Sequence, residues 1–316
     1  MSKTAPAVFE PVKVAPFYNW VGGKRRLMDF IQENTPESFV NYHEPFLGGG
    51  AVALDLLMRT PPAVDGHRKT FYLSDLNAEL IATWTAVRDD VDQLIELIEE
   101  HRDRHDRQYF LAVRSWDVDG VLAFKTDTER AARFLYILQT SFNGQWNENA
   151  EGFCKASFGF DEPRIPKDFF SNLQAIHSLL NAHNVVLSHQ SFEAGEEFIQ
   201  SGDFVYLDPP YAVDDDDGAA GWDGYVAGGA GDAFQPVVVD YIDMLTIKGA
   251  YALASNSNTA TTRQLYKGWN QIQKSIIWSG GGVNGRRVIE KLFANYLLYV
   301  ALGYEMEQEL EELPSP

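Results

Sequence analysis

NYHEPFLGGGAVALDLLMR, residues 41–59, and TFYLSD, residues 70–75, together decide the fold. The stretch around Asn41–Phe46 reads as a strand, and Gly48, Gly49 and Gly50 follow it. Ala51–Arg59 then reads as a helix that stops at Pro61–Pro62, because a proline ring fixes φ and carries no N–H. Thr70–Ser74 has the aromatic and β-branched content of a short buried strand, with Asp75 at its C-terminal end. Strand, glycine turn, helix and strand form the repeating unit of a parallel α/β sheet. Glycines straight after a strand let the backbone approach a cofactor closely, at the end of the sheet where ligands bind. The spacing is not the G-x-G-x-x-G of a dinucleotide fold. Asp75 is placed to accept from ribose hydroxyls, or equally to serve as a turn or capping aspartate.

Outward from this unit, Phe17–Lys24 (FYNWVGGK) opens a helix read over Lys24–Asn34. A cation at a helix start is electrostatically unfavourable, so Lys24 calls for an anionic partner. From Asn77 to His183 the pattern turns helical, with Asp89–Arg107 amphipathic and Arg130–Thr140 reading as a buried helix. A long irregular, aromatic-rich stretch follows as far as Lys167, and a loop of that length in a compact fold is usually functional. Strand signals return at Val185–Ser188 and Phe204–Leu207. A helix over Pro236–Ile247 comes next, then strands over Tyr251–Ser255, Gln271–Trp278 and Lys291–Ala301, the last two joined by Gly280–Arg287. The predicted organisation is a catalytic domain of residues 17–88 and 185–304, a helical insertion of 89–184 and an acidic tail of 305–316. No repeat is visible.

The most informative tetrapeptide is Asp208-Pro209-Pro210-Tyr211, at a strand end. Two prolines set a rigid turn whose carbonyls cannot join an ongoing ladder. A carboxylate and stiff carbonyls are all acceptors, which suits an exocyclic amine that must donate two hydrogen bonds while its nitrogen rehybridises for attack. Tyr211 offers a ring face for a base taken out of a duplex.

Composition narrows the class. Hydrophobic residues make up 45%, enough for a buried core. No stretch reaches the roughly 20 apolar residues of a membrane span, and Met1–Pro16 lacks a signal-peptide pattern, so a cytoplasmic protein is expected. Cys154, the single cysteine, excludes an internal disulfide and reads as a small filler, since it lacks the proline context of a cytosine-methylating nucleophile. The seven histidines show no metal-ligand spacing, and Asp214–Asp217 lacks the spaced ligands of a calcium loop, so no metal is expected. Lys plus Arg total 26 against 45 Asp plus Glu, a net charge of -19. Phosphate contacts normally supply much of the affinity for nucleic acid. The balance therefore fits either a partner other than nucleic acid or an acidic surface suited to concentrated salt and a halophilic source, and scarce lysine favours the second.

In this order, N-W-V-G-G-K, E-P-F-L-G-G-G, L-S-D-L-N (Leu73–Asn77) and D-P-P-Y resemble the Dam-type class of DNA adenine-N6 methyltransferases. The similarity runs through Arg130–Phe160 (R-A-A-R-F-L-Y, F-N-G, S-F-G), Ser255–Asn256 and the Gly280–Leu292 hairpin, most of Phe17–Leu302. The resemblance implies an α/β, Rossmann-like fold that uses S-adenosylmethionine and carries a helical target-recognition insertion. It implies that Trp20, Lys24, Asp75 and Asp208 contact that cofactor, with Glu44, Phe46, Gly48 and Gly50 in the loop beneath it. Asp208 and the Pro209 carbonyl would hold the adenine amine, Pro210 would stiffen the turn, and Tyr211 would stack on the flipped base. Double-stranded DNA would be met by Asn19, Asn143, Gln145, Asn147 and Ser157, and by Arg286 and Arg287 of the hairpin. The resemblance is compatible with a partner restriction endonuclease or with none.

The sequence departs from the class where the target is read. G-A-T-C-specific members carry Lys before the motif Trp, where Asn19 stands here. After F-N-G they carry an apolar residue and then, two positions on, Arg; here these are Gln145 and Asn147, and a Pro is replaced by Ser157. Arg and Lys grip guanine edges as Asn and Gln do not, so the machinery carries over and the G-A-T-C target does not. Methylation of cytosine N4 or of RNA adenine would use the same tetrapeptide logic, but Asp208 weighs against both. Intact Asp208, Tyr211 and Lys24 weigh against a silent DNA-binding module, and the glycine spacing weighs against a dehydrogenase.

Overall fold

The computed structural model describes residues 13–18, 20, 22–62, 68–212, 231–278 and 286–299. In chain order the described elements are α1 (Met28–Glu33), β1 (Tyr42–Glu44), α2 (Ala51–Arg59), β2 (Thr70–Asp75), α3 (Ala78–Asp89), α4 (Val91–Asp103) and α5 (Arg107–Arg114). There follow α6 (Asp127–Thr140), α7 (Phe169–Ala182), β3 (Asn184–His189), β4 (Phe204–Leu207), α8 (Gly231–Lys248), β5 (Tyr251–Ser257), α9 (Ala260–Leu265), β6 (Asn270–Trp278) and β7 (Arg286–Ala294). The strands form a seven-stranded sheet in the order β3-β2-β1-β4-β5-β7-β6. β2–β3, β1–β4 and β4–β5 are parallel, while β7 runs antiparallel to both β5 and β6. This mostly parallel α/β sheet is the fold class the sequence predicts.

The chain divides into two units, residues 1–25 with 44–195, and residues 26–43 with 196–316. In the first, α3 packs on α6, and Trp84 of α3 and Phe134 and Leu135 of α6 are fully buried. Burying a side chain of this size is worth roughly 1.5–3 kcal/mol. Asn77 caps α3 by accepting from Leu80 N at 3.0 Å, and Thr126 with Glu129 forms a capping box that starts α6. Residues 141–168, read as irregular, are held by two isolated bridges, Ser141↔Phe158 and Glu148↔Cys154. In the second unit, β4 is buried on both faces (Phe204, Val205, Tyr206, Leu207), as a central parallel strand should be.

Several boundaries differ from the sequence reading. The helix read over Lys24–Asn34 begins as a 3₁₀ turn, Lys24–Arg26, and is α-helical only over Met28–Glu33. Lys24 therefore does not sit at an α-helix N-terminus, and its ammonium donates to the Gly22 carbonyl at 2.6 Å. The last strand is Arg286–Ala294 rather than Lys291–Ala301, because its register against β6 runs from Trp278↔Arg286 to Asn270↔Ala294. α8 starts at Gly231 and contains Pro236. The predicted Asp214–Asp217 loop, the glycines of Gly280–Arg287 and the acidic tail lie outside the described residues, as does Asn19.

Candidate active site

The glycine loop that follows β1 is built by close approach. Gly50 caps α2 with φ +63°, and a Cβ there would lie 2.4 Å from the Trp84 ring. Gly48 has φ +46°, and its Cβ would lie 2.8 Å from Trp20 Cδ1. No L side chain fits either place. Asp75 ties this loop to the next element. Its Oδ2 accepts from Gly48 N at 2.9 Å and its Oδ1 from Asn77 N at 3.0 Å. The turn role considered for Asp75 is thus present, and two of a carboxylate's roughly four acceptor positions are used by it. Burial pushes this carboxyl up from its ordinary range, against the pull of the Gly48, Asn77 and Leu76 N–H groups. Tyr18, which the sequence reading passed over, donates to the Gly48 carbonyl at 2.7 Å and accepts from Trp84 Nε1 at 3.0 Å. Trp20 stands edge-on to Tyr18, Lys24 and Glu44 are buried, and Phe46 stacks on Phe192 at 5.3 Å.

The same unit holds the residues expected to read DNA. Phe142–Gly144 is a 3₁₀ turn in which Asn143 has φ +59°, alone among the described non-glycine residues. Phe142 N donates to Ser157 O at 2.7 Å, so the F-N-G turn and the S-F-G segment are brought together. Gln145 is extended, Trp146 is buried against Phe134, and Asn147 follows. Asn143 and Ser157 are exposed, while Gln145 and Asn147 are half-buried. Arg133, Asp117 and Arg114 support this segment from beneath. Arg133 pairs with Asp117 at 3.0 Å, Asp117 accepts from Cys154 N at 2.7 Å, and Arg114 donates to Ala156 O at 2.9 Å. Burial pushes the Cys154 thiol up to about 11, so it is no nucleophile and remains the filler expected. The side chains of Arg286 and Arg287 lie outside the described residues.

The second unit carries Asp208–Tyr211, directly after β4. Ser255 Oγ donates to Asp208 Oδ1 at 2.8 Å and accepts from Tyr206 OH at 3.0 Å, so the carboxylate is fixed from below as an acceptor. Tyr211 OH donates to Glu290 Oε2 at 2.8 Å. Burial, and then the Glu290 and Asp208 carboxylates, push its phenol well above the ordinary range, so it stays a donor. Pro210 O accepts from Gln235 Nε2 at 2.8 Å, Ala212 N donates to Asn256 Oδ1 at 3.1 Å, and Ala212 O accepts from Ser257 Oγ at 2.6 Å. The Pro209 carbonyl accepts from no group among the described residues. Of these supports only Ser255 and Asn256 stood within the recognisable motifs. Glu290 falls within the Gly280–Leu292 hairpin of the resemblance, though not as a support for Tyr211, and Gln235 carries no local signal, because its role depends on chain reversal.

A family model described as "D12 class N6 adenine-specific DNA methyltransferase" matches residues 20–277. Among the similar proteins, the type II methyltransferase M1.LlaDCHI of Lactococcus lactis subsp. cremoris is 31% identical over 288 residues, covering 90% of this chain and 96% of the relative. The type II methyltransferase M.MjaIII of Methanocaldococcus jannaschii is 29% identical over 302 residues, covering 90% and 100%. The DNA adenine methylase of Haemophilus influenzae is 28% identical over 276 residues, covering 84% and 88%.

Proposed function

Because the chain belongs to the D12 class of N6 adenine-specific DNA methyltransferases, we propose that Lys24, the Glu44–Gly50 loop and Asp75 hold the methyl donor, and that Asp208–Tyr211 holds the adenine amine. The activity itself is transfer of a methyl group to N6 of adenine in DNA. S-adenosylmethionine is the donor proposed, and it supplies, when bound, a methyl group on a positively charged sulfur. The residues present fit it: a buried Lys24 suits its carboxylate, Asp75 retains acceptor capacity for ribose hydroxyls, and a loop that admits no Cβ at Gly48 or Gly50 permits close backbone approach.

Asp208 and the Pro209 carbonyl accept from the two amine protons, which directs the nitrogen lone pair away from them. They also stabilise the positive charge that grows on N6 during attack. Tyr211, its hydroxyl tied to Glu290, presents its ring to the flipped base. Positioning of this kind is worth about 7–11 kcal/mol at most. The observation that carries this reading is the pairing of an acceptor fixed by Ser255 with a neighbouring carbonyl that has no partner among the described residues.

We assign target recognition to the insertion of residues 89–184, and catalysis to 17–88 with 185–304. Asn143, Gln145, Asn147 and Ser157 read bases, Asn19, Arg286 and Arg287 approach DNA, and the target is not G-A-T-C, since no Arg stands at 147. The type II relatives support a role beside a partner restriction endonuclease. The net charge of -19 supports an enzyme of a salt-rich, halophilic cytoplasm. The test is methyl transfer from radiolabelled S-adenosylmethionine to unmodified DNA. Wild-type protein labels DNA and Asp208→Ala does not; retention of near wild-type labelling by Asp208→Ala would refute the assigned site. The product is then digested with a nuclease blocked by G-A-T-C methylation, and complete protection would refute the specificity.

A further inference from the structure

We infer that Gln235 is a positioning residue for methyl transfer, which engages the Pro210 carbonyl and so fixes the Asp208–Tyr211 turn while the Pro209 carbonyl is left with no partner among the described residues. This rests on the reading that the turn holds the adenine amine. Gln235 lies in α8 and is fully buried, as are Asn256 at the end of β5 and Tyr266. A buried primary amide must satisfy its oxygen and its two N–H groups, and its environment decides which end points where. Here Oε1 accepts from Asn256 Nδ2 at 2.8 Å and from Tyr266 OH at 3.2 Å. Burial pushes the Tyr266 phenol up, so that hydroxyl remains a donor. With its oxygen claimed twice, Gln235 can only present its amide nitrogen to the turn, and Nε2 donates to Pro210 O at 2.8 Å.

Asn256 completes the hold on the far side of Tyr211, its Oδ1 accepting from Ala212 N at 3.1 Å. Tyr211 is therefore gripped on both flanks through backbone atoms by two amides that hydrogen-bond to each other. Neither amide is required to touch substrate. Their effect is to engage the second proline carbonyl and leave the first, which a rigid two-proline turn cannot exchange between. A buried network of this kind is worth most when every member is satisfied.

Gln235→Met keeps the volume and removes the donor. Gln235→Glu keeps the acceptors for Asn256 and Tyr266, and can donate to Pro210 O only when protonated. Burial raises a carboxyl's pKa by up to about 3–5 units, so that proton returns in mildly acidic buffer. Steady-state kinetics on DNA are measured for wild type, both variants and Asp208→Ala across a pH series, with melting curves confirming the fold. Gln235→Met is expected to lose about a hundredfold in kcat, the cost of misplacing a reacting geometry by about 1 Å, with little change in KM for DNA. Gln235→Glu is expected to match it at neutral pH and to recover, relative to wild type, as pH falls. Near wild-type kcat in Gln235→Met, or a flat pH ratio for Gln235→Glu, overturns the inference. Should Gln235→Met fail to fold, the pH ratio of Gln235→Glu decides alone. Activity in Asp208→Ala would instead refute the assignment of the turn itself. An inactive Asp208→Ala beside unaffected Gln235 variants refutes this inference only.

Discussion

Asp203, fully buried just before β4, accepts four hydrogen bonds: from Asn41 N and Nδ2 at 3.0 Å, Gln200 N at 3.0 Å and His43 Nε2 at 2.9 Å. A carboxylate can only accept, so His43 carries its proton on Nε2. Burial pushes the Asp203 carboxyl up, but His43 and the two backbone N–H groups outweigh it, and the net effect holds it below the ordinary 3.8. The folded state thus binds this proton less readily than the unfolded chain. The stability it contributes is fully present above the ordinary range, and is lost as pH falls through the lower folded value. Asp203→Ala strands buried donors, which should cost at least about 3 kcal/mol. The gap in urea midpoint between wild type and Asp203→Asn should hold steady above about pH 5 and narrow below about pH 4. A gap that widened on acidification would contradict the arrangement. Nothing in the sequence marks Asp203 as different from its many acidic neighbours, because its partners at 41 and 43 become neighbours only when β1 pairs with β4.

The F-N-G turn and the S-F-G segment act as one element. Gly159 lies so close to it that a Cβ would sit 2.4 Å from Phe142 N and from Ser141 C, both backbone atoms that cannot swing aside. Gly159→Ala should therefore open the Ser141↔Phe158 bridge, lower stability by about 1–3 kcal/mol and abolish methylation of the cognate target. Gly268→Ala, with nothing within 4 Å of its Cβ, serves as control. Melting curves and methyl transfer measure both, and an active Gly159→Ala would show that the bridge does not shape target reading. Legibility follows the same boundary between local and long-range causes. α2 and β4 were read to the residue, since a glycine turn, a proline stop and a buried apolar run are local signals. α5, α7 and α9 were not resolved individually, because their ends depend on single caps such as Asp106 and Thr259, whose side chains accept from Tyr109 N and Thr262 N. β7 was misplaced because only its pairing with β6 defines where it begins. At the site, the residues that touch substrate in the proposed reaction were legible as motifs, while the support Gln235 was not, and Glu290 was legible only as part of a hairpin and not as the partner of Tyr211.

At the scale of the molecule, 45 acidic against 26 basic side chains give a net charge of -19. In dilute buffer such a charge repels DNA over a Debye length of about 30 Å at 0.01 M, which shrinks to about 3 Å at 1 M. Self-repulsion also lowers stability at low salt. The methylation rate and melting temperature are therefore expected to rise with KCl towards the molar range. Activity that peaks at low salt and falls steeply, as phosphate-driven binding requires, would refute this. The order of the sheet has a consequence for timing. β7 is the last of the described strands in chain order, yet it inserts between β5 and β6, and Glu290 within it is the acceptor for Tyr211. While the chain is still being synthesised, β5 and β6 each present an open edge, and Tyr211 lacks its anchor. A chain ending before residue 286 is therefore expected to be inactive in methyl transfer and prone to self-association through these open edges, which size-exclusion chromatography of a truncated protein would check.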